Sequence, residues 1–124
     1  MTTSIDSTNS VTVNLGVTKV IYISDFALNK DKHAVSVCMN IKNLGVSPLL
    51  LCVNNFCLVH DETVCFAKHC YINDGHSFEV VSGWRSFQKE KTYTLITNYI
   101  INPNLPTYHL CYKTATESYS IMRF

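Results

Sequence analysis

The stretch "HAVSVCMNIKN", residues 33–43, decides the fold. Val35, Val37, Met39 and Ile41 fall on one parity, while Ser36, Cys38, Asn40 and Lys42 fall on the other. Side chains of an extended chain alternate between two faces, so this segment is a strand with one buried and one wetted side. On a helix the same apolar residues would be spread around the axis. Upstream, "VTVNLGV" (11–17) puts Val11, Val13, Leu15 and Val17 on one face, with Gly16 expected to mark a bulge or bend. "KVIYIS" (19–24) reads as a second extended piece and "DFALNKDKH" (25–33) as a polar turn region.

Downstream, "NLGVSP" (43–48) is a turn, because Gly45 tolerates positive φ and Pro48 forces Ser47 into extended geometry. "LLLCV" (49–53) is apolar throughout, and "NFCLVH" (55–60) sets Phe56 and Leu58 against Cys57 and Val59. "DET" (61–63) and "NDG" (73–75) are turn signals. "HSFEVVSGWRSFQKEKTYTLITNYII" (76–101) is β-prone and broken at Ser82-Gly83 and "QKEK". "TYHLCYKTATESYSIMRF" (107–124) closes as a hairpin turning near Thr114–Glu117. Short strands with evenly spaced turns describe an all-β sandwich or barrel.

Composition bounds the function. The chain has 124 residues, 47% hydrophobic and 15% charged, enough for one domain with a core that needs no covalent staples. Net charge is +1, and the ten Lys and Arg residues form no basic stripe, so nucleic acid and anionic membrane surfaces are not expected partners. No apolar run reaches the roughly 18 residues of a membrane span. The opening "MTTSIDSTNS" lacks the apolar run of a signal peptide and is expected to form a flexible arm over 1–10, with a single domain over 11–124.

Six cysteines raise the question of metal or disulfides. Cys52, Cys57, Cys65, His69 and Cys70 could supply ligands for a metal-binding or redox module. Against it, the offset of five within each cysteine pair puts the two members on opposite faces of a continuous strand. Cys38 with Cys111 is the pair an immunoglobulin pattern would bridge, but each sits opposite the apolar parity of its own strand, and His109, not Tyr, lies two residues before Cys111. Cys65–Cys70 and Cys52–Cys57 could close short loops. Free cysteine also serves as a small buried hydrophobe. Free thiols would indicate an intracellular home, and bridges would indicate export.

Nothing selects a catalytic residue. His69 and Cys70 are adjacent, so on a strand they face apart. The acids fall mostly in turns, and the phosphate-loop, serine-hydrolase and zinc-protease motifs are absent from the sequence. The expectation is a non-enzyme without cofactor. Trp84, Phe87 and Tyr93 form the candidate surface for a protein partner, because large aromatic residues dominate recognition patches. An unpaired edge strand would serve the same purpose, or would drive homo-oligomerisation.

Residues 33–66, "HAVSVCMNIKNLGVSPLLLCVNNFCLVHDETVCF", resemble a group of bacterial immunoglobulin-like domains of undefined function, which in turn is similar to the secreted mycobacterial immunoprotective antigens. Asn43, Leu44, Gly45, Phe56, Leu58 and Phe66 carry the likeness. "YTLITNYIINPNLPTYHLCY" (93–112) resembles their closing strand pair, with Leu110 and Tyr112 in the terminal position. The resemblance covers about residues 11–113. It implies an antiparallel immunoglobulin-like β-sandwich of about 7–9 strands, exported or at the cell surface, without catalysis. A cysteine-bearing viral accessory protein that modulates host immunity would share the same physical features.

Overall fold

The computed structural model describes residues 3–6, 14–102, 108–116 and 118–123. The strands are β1 (Thr3–Asp6), β2 (Asn14–Asn29), β3 (Lys32–Asn43), β4 (Leu49–Cys52), β5 (Phe56–His60), β6 (Thr63–Phe66), β7 (His69–Asn73), β8 (Phe78–Val81), β9 (Trp84–Phe87), β10 (Thr92–Ile101), β11 (His109–Lys113) and β12 (Ser118–Arg123). One 3₁₀ turn, Val53–Asn55, separates β4 from β5. The described strands outnumber the expected seven to nine because local breaks divide longer apolar runs. The 3₁₀ turn splits 49–60, and Ser82-Gly83 splits 78–87.

Ten of these strands form two sheets, ordered β1-β2-β3-β10-β7-β8 and β12-β11-β5-β6, with antiparallel neighbours throughout. A third, two-stranded ribbon pairs β4 with β9. The order β2-β3-β10-β7 against β12-β11-β5-β6 is the immunoglobulin arrangement, ABED packed on GFC with a C′ strand added. The protein is an antiparallel immunoglobulin-like β-sandwich.

The alternation in 33–43 is what the fold uses. Val35, Val37, Met39 and Ile41 of β3 are buried in the core, next to Leu95 and Tyr99 of β10 and Cys70 and Ile72 of β7. From the other sheet come Phe56, Leu58, Leu110 and Tyr112. Phe56 meets Tyr112 edge-on, with ring centroids 5.1 Å apart. The turns at Asp61-Glu62 and Asp74–His76 close the hairpins expected of them. In the second, Asn73 Oδ1 accepts the Gly75 N–H at 2.7 Å, and Gly75 takes a φ of 99° that a side chain would resist.

Three expectations change. Residues 25–29 continue β2 rather than turning, so β2 and β3 form one long hairpin bent at Lys30-Asp31. Its register shifts fall at Val17/Lys19, Tyr22/Ser24 and Ala27/Asn29, not at Gly16. Thr3–Asp6 of the expected arm pairs with β2, because Val17, Gly16, Leu15 and Asn14 offer it a free edge; the rest of 1–10 lies outside the described residues.

The immunoglobulin pattern also shows where its disulfide would have been. Tyr108, at the start of β11, donates its hydroxyl back to the Asn102 carbonyl at 3.2 Å. This is the tyrosine corner of the fold. The residue two places on is Leu110, which points into the core where the second bridging cysteine would lie. Cys111 is one residue out of phase, which is why no Tyr precedes it at the expected spacing.

Candidate functional site

Among the three aromatic residues marked as a partner surface, only Trp84 is outside. It is 64% exposed, whereas Phe87 is 0% and Tyr93 2% exposed. Phe87 and Tyr93 pack edge-on against each other at 4.9 Å within the core, and the Tyr93 hydroxyl accepts the Gln88 N–H at 2.8 Å. The physical reason is parity. On β9, Phe87 stands opposite Leu49 on the inward side, while Trp84 stands opposite Cys52 on the outward side. On β10, Tyr93 shares the inward face with Leu95. Phe87 and Tyr93 are therefore core residues, and the surface must be rebuilt around Trp84.

Three other exposed apolar residues lie on the strands that pair with or precede β9. Leu50, exposed and diagonal to Trp84 across the ribbon, belongs to the same outward face. Phe78 and Val80 lie on β8, the last strand of the six-stranded sheet, and are 52% and 67% exposed. Between β8 and β9 the chain crosses from the sheet to the ribbon through Gly83. Its φ is 103°, its N–H donates to Asn54 Oδ1 at 2.7 Å, and its carbonyl accepts the Val53 N–H at 3.0 Å. That crossing aims Trp84 outward while leaving β8 as an edge.

Charges brace the same region. Arg85 is ion-paired to Glu79 and lies 3.9 Å from Asp74, whose carboxylate also meets Lys91 at 3.4 Å. The His76 N–H, donating to Asp74 at 3.1 Å, and then Lys91 hold the Asp74 carboxyl below its usual range. Glu79 and Arg85 alternate with the exposed apolar residues along their strands, so their ion pair joins β8 to β9 on the side away from Phe78, Val80 and Trp84. Sequence reasoning missed Phe78 and Val80. The available signal was "NDG" followed by a four-residue alternating strand that stops at Ser82-Gly83, the mark of a short return to a sheet edge.

The cysteine pairs proposed from the sequence do not converge; Cys57 and Cys111 instead stand opposite each other on β5 and β11, with the Cys57 thiol donating to the Cys111 carbonyl at 3.6 Å. Cys38 faces outward on β3 and Cys111 outward on β11, so the whole sandwich separates them. Cys65 donates to the Ile100 carbonyl at 2.9 Å and Cys70 to the Val53 carbonyl at 3.4 Å, each thiol held by a different strand end. Cys52 lies on the ribbon and Cys57 on the outward parity of β5. All six are thiols. Among the described residues, no three His, Cys, Asp or Glu side chains are placed to hold a metal ion. The candidate set Cys52, Cys57, Cys65, His69 and Cys70 is thus spread over the ribbon, the core and both outer faces. Burial raises the thiols of Cys57, to about 12, and Cys70, to about 11, which suits packing and not nucleophilic attack.

No helix among the described residues is long and apolar enough to cross a membrane. No protein-family model matches the chain, and no curated protein does. A solved structure, the CBM3a-L domain with flanking linkers from scaffoldin cipA of the cellulosome of Clostridium thermocellum, is similar over 86% of this chain and 81% of that one, at 9% identity and a TM-score of 0.36. A likeness that loose carries no argument about what this chain binds.

Proposed function

We propose that this chain is a non-catalytic, immunoglobulin-like interaction module that recruits a partner protein by strand addition along β8, with Phe78, Val80 and Trp84 as side-chain anchors. The observation that carries the reading is β8 itself. It is the end strand of a six-stranded sheet, it presents two large apolar side chains outward, and its one charge, Glu79, is already paired with Arg85. Natural edges are usually blunted by lysine, proline or a bulge. β8 has no lysine, proline or bulge; it is short, and its inward-facing Glu79 is neutralised by Arg85. An added strand would gain main-chain hydrogen bonds and side-chain grip together.

Extended peptides selected from a random library against the intact chain test this. Binders should shift the Phe78–Val81 amides in NMR spectra and lose at least about tenfold in affinity, about 1.4 kcal/mol, with Val80→Lys. Binders that leave those amides unmoved, or that tolerate Val80→Lys, would refute it. Concentration-dependent sedimentation in the same assay reports whether a second copy fills the edge instead.

A further inference from the structure

The outer face of the six-stranded sheet also contains a hollow of about 440 Å³, past the point where β8 stops pairing with β7. Ala34 and Ser36 of β3, Asn98 and Ile100 of β10, and Lys68 and His69 at the start of β7 line it. We propose that this hollow binds a carboxylate carried on a short apolar stem.

The donors are built in. Ser36 Oγ donates to Asn98 Oδ1 at 2.6 Å, which turns the amide so that its Nδ2 hydrogens are the spare donors. The Lys68 N–H donates to the Asn98 carbonyl at 2.7 Å, and His69 pairs with Asn98 in the β7–β10 register. One ladder therefore holds all three residues in place. The Lys68 ammonium, the His69 ring and the Asn98 amide nitrogen have no hydrogen-bond or ion-pair partner among the described residues. No Asp or Glu lines the hollow. A lysine ammonium beside a neutral amide donor suits a monoanion, with one carboxylate oxygen on Lys68 and the other on Asn98. Ala34, Val35 and Ile100 supply apolar wall for the stem, as small-molecule sites of this size usually do.

The proposal does not depend on strand addition at β8, and Val80→Lys should leave it unchanged. Benzoate, benzamide and inorganic sulfate are titrated separately into the intact chain and followed by NMR. Benzoate should shift the Lys68, His69 and Asn98 amides saturably, with benzamide and sulfate at least about tenfold weaker. Asn98→Asp keeps the acceptor for Ser36 but sets a like charge against the ligand, and should abolish binding. Lys68→Met should weaken it about tenfold. Thermal unfolding confirms that each variant is folded. A peptide ending in a free C-terminal Phe, run beside its amidated form, separates a chain terminus from a free acid as the natural source. Binding of either benzoate or the free-ended peptide supports the proposal. Absence of both, equal shifts from benzamide or sulfate, or undiminished binding by Asn98→Asp would overturn it.

Discussion

The β3–β10 ladder and the β4–β9 ribbon are built from similar apolar sequence, yet they are held in different ways. In the ladder, ten residue pairs run in continuous register from Thr92↔Lys42 to Ile101↔His33, and the inward row is covered by a second sheet. The ribbon has four pairs and belongs to neither sheet. Only its inward side chains, such as Leu51 and Phe87, are covered; Leu50 and Trp84 are left outside. What holds the ribbon is a set of polar stitches. The Tyr112 hydroxyl accepts the Cys52 N–H at 3.1 Å, and the buried Asn43 side chain donates to the carbonyls of Phe87 and Ser47, both at 2.9 Å, while accepting the Gly45 N–H at the same distance. A long pairing over a covered row secures the ladder; the ribbon has burial only on one side, at Leu51 and Phe87, and adds hydrogen bonds from core residues.

The largest test of that contrast compares two leucines. Leu95→Ala, in the ladder, should lower unfolding free energy by about 3 kcal/mol through lost burial and a residual cavity. Leu50→Ala, on the outward face of the ribbon, should change it by less than about 0.5 kcal/mol. Urea unfolding of both, with unchanged m-values, checks the pair. Equal losses would mean that the ribbon is packed as tightly as the sheets.

Asn43→Ala should cost about 2 kcal/mol, because it strands the buried Phe87 carbonyl as well as removing three hydrogen bonds. Hydrogen exchange should then speed up at the β4 and β9 amides more than at β3. Uniform acceleration would show that the stitch belongs to the whole fold and not to the ribbon.

Thiol burial predicts a fall in stability at alkaline pH. Cys57 and Cys70 are raised from an ordinary value of 9.0 to about 12 and about 11, burial being the main cause in each. Above pH 9 the unfolded chain releases these protons while the folded chain retains them. Their contribution to stability is therefore complete below pH 9 and is lost as pH rises toward 11–12. Each thiol adds a downward slope of at most about 1.4 kcal/mol per pH unit. Denaturation at stepped pH should show the fall, and Cys57→Ala should flatten part of it.

The smallest effect concerns the tyrosine corner, which ties the end of the ladder to β11. Tyr108→Phe should cost about 1 kcal/mol for the hydrogen bond to Asn102. No change in thermal or urea midpoint would reduce that corner to simple packing.

Much of this was legible beforehand. The parity of 33–43, the breaks at Ser82-Gly83 and 88–91, and the turn at 73–75 follow from local chemistry: backbone alternation and the tolerance of Gly, Asn and Asp for turn geometry. Those rules act within a few residues, so one sequence carries them in full. The outward placement of Cys38 and Cys111 is legible on the same grounds.

That Trp84 and Phe87 face opposite ways follows from their offset of three, but which of the three aromatic residues is buried was not legible. All three are aromatic and strand-borne, and each has two faces to choose from; the choice depends on which side another layer covers. That Thr3–Asp6 finds an edge, that Lys68, His69, Asn98 and Ser36 meet around one hollow, and that β8 ends the sheet all come from pairings between distant segments. Sequence alone determined which residues share a face, because alternation is local. The tertiary structure decided which faces were buried, because burial requires a partner surface that only the closed fold supplies.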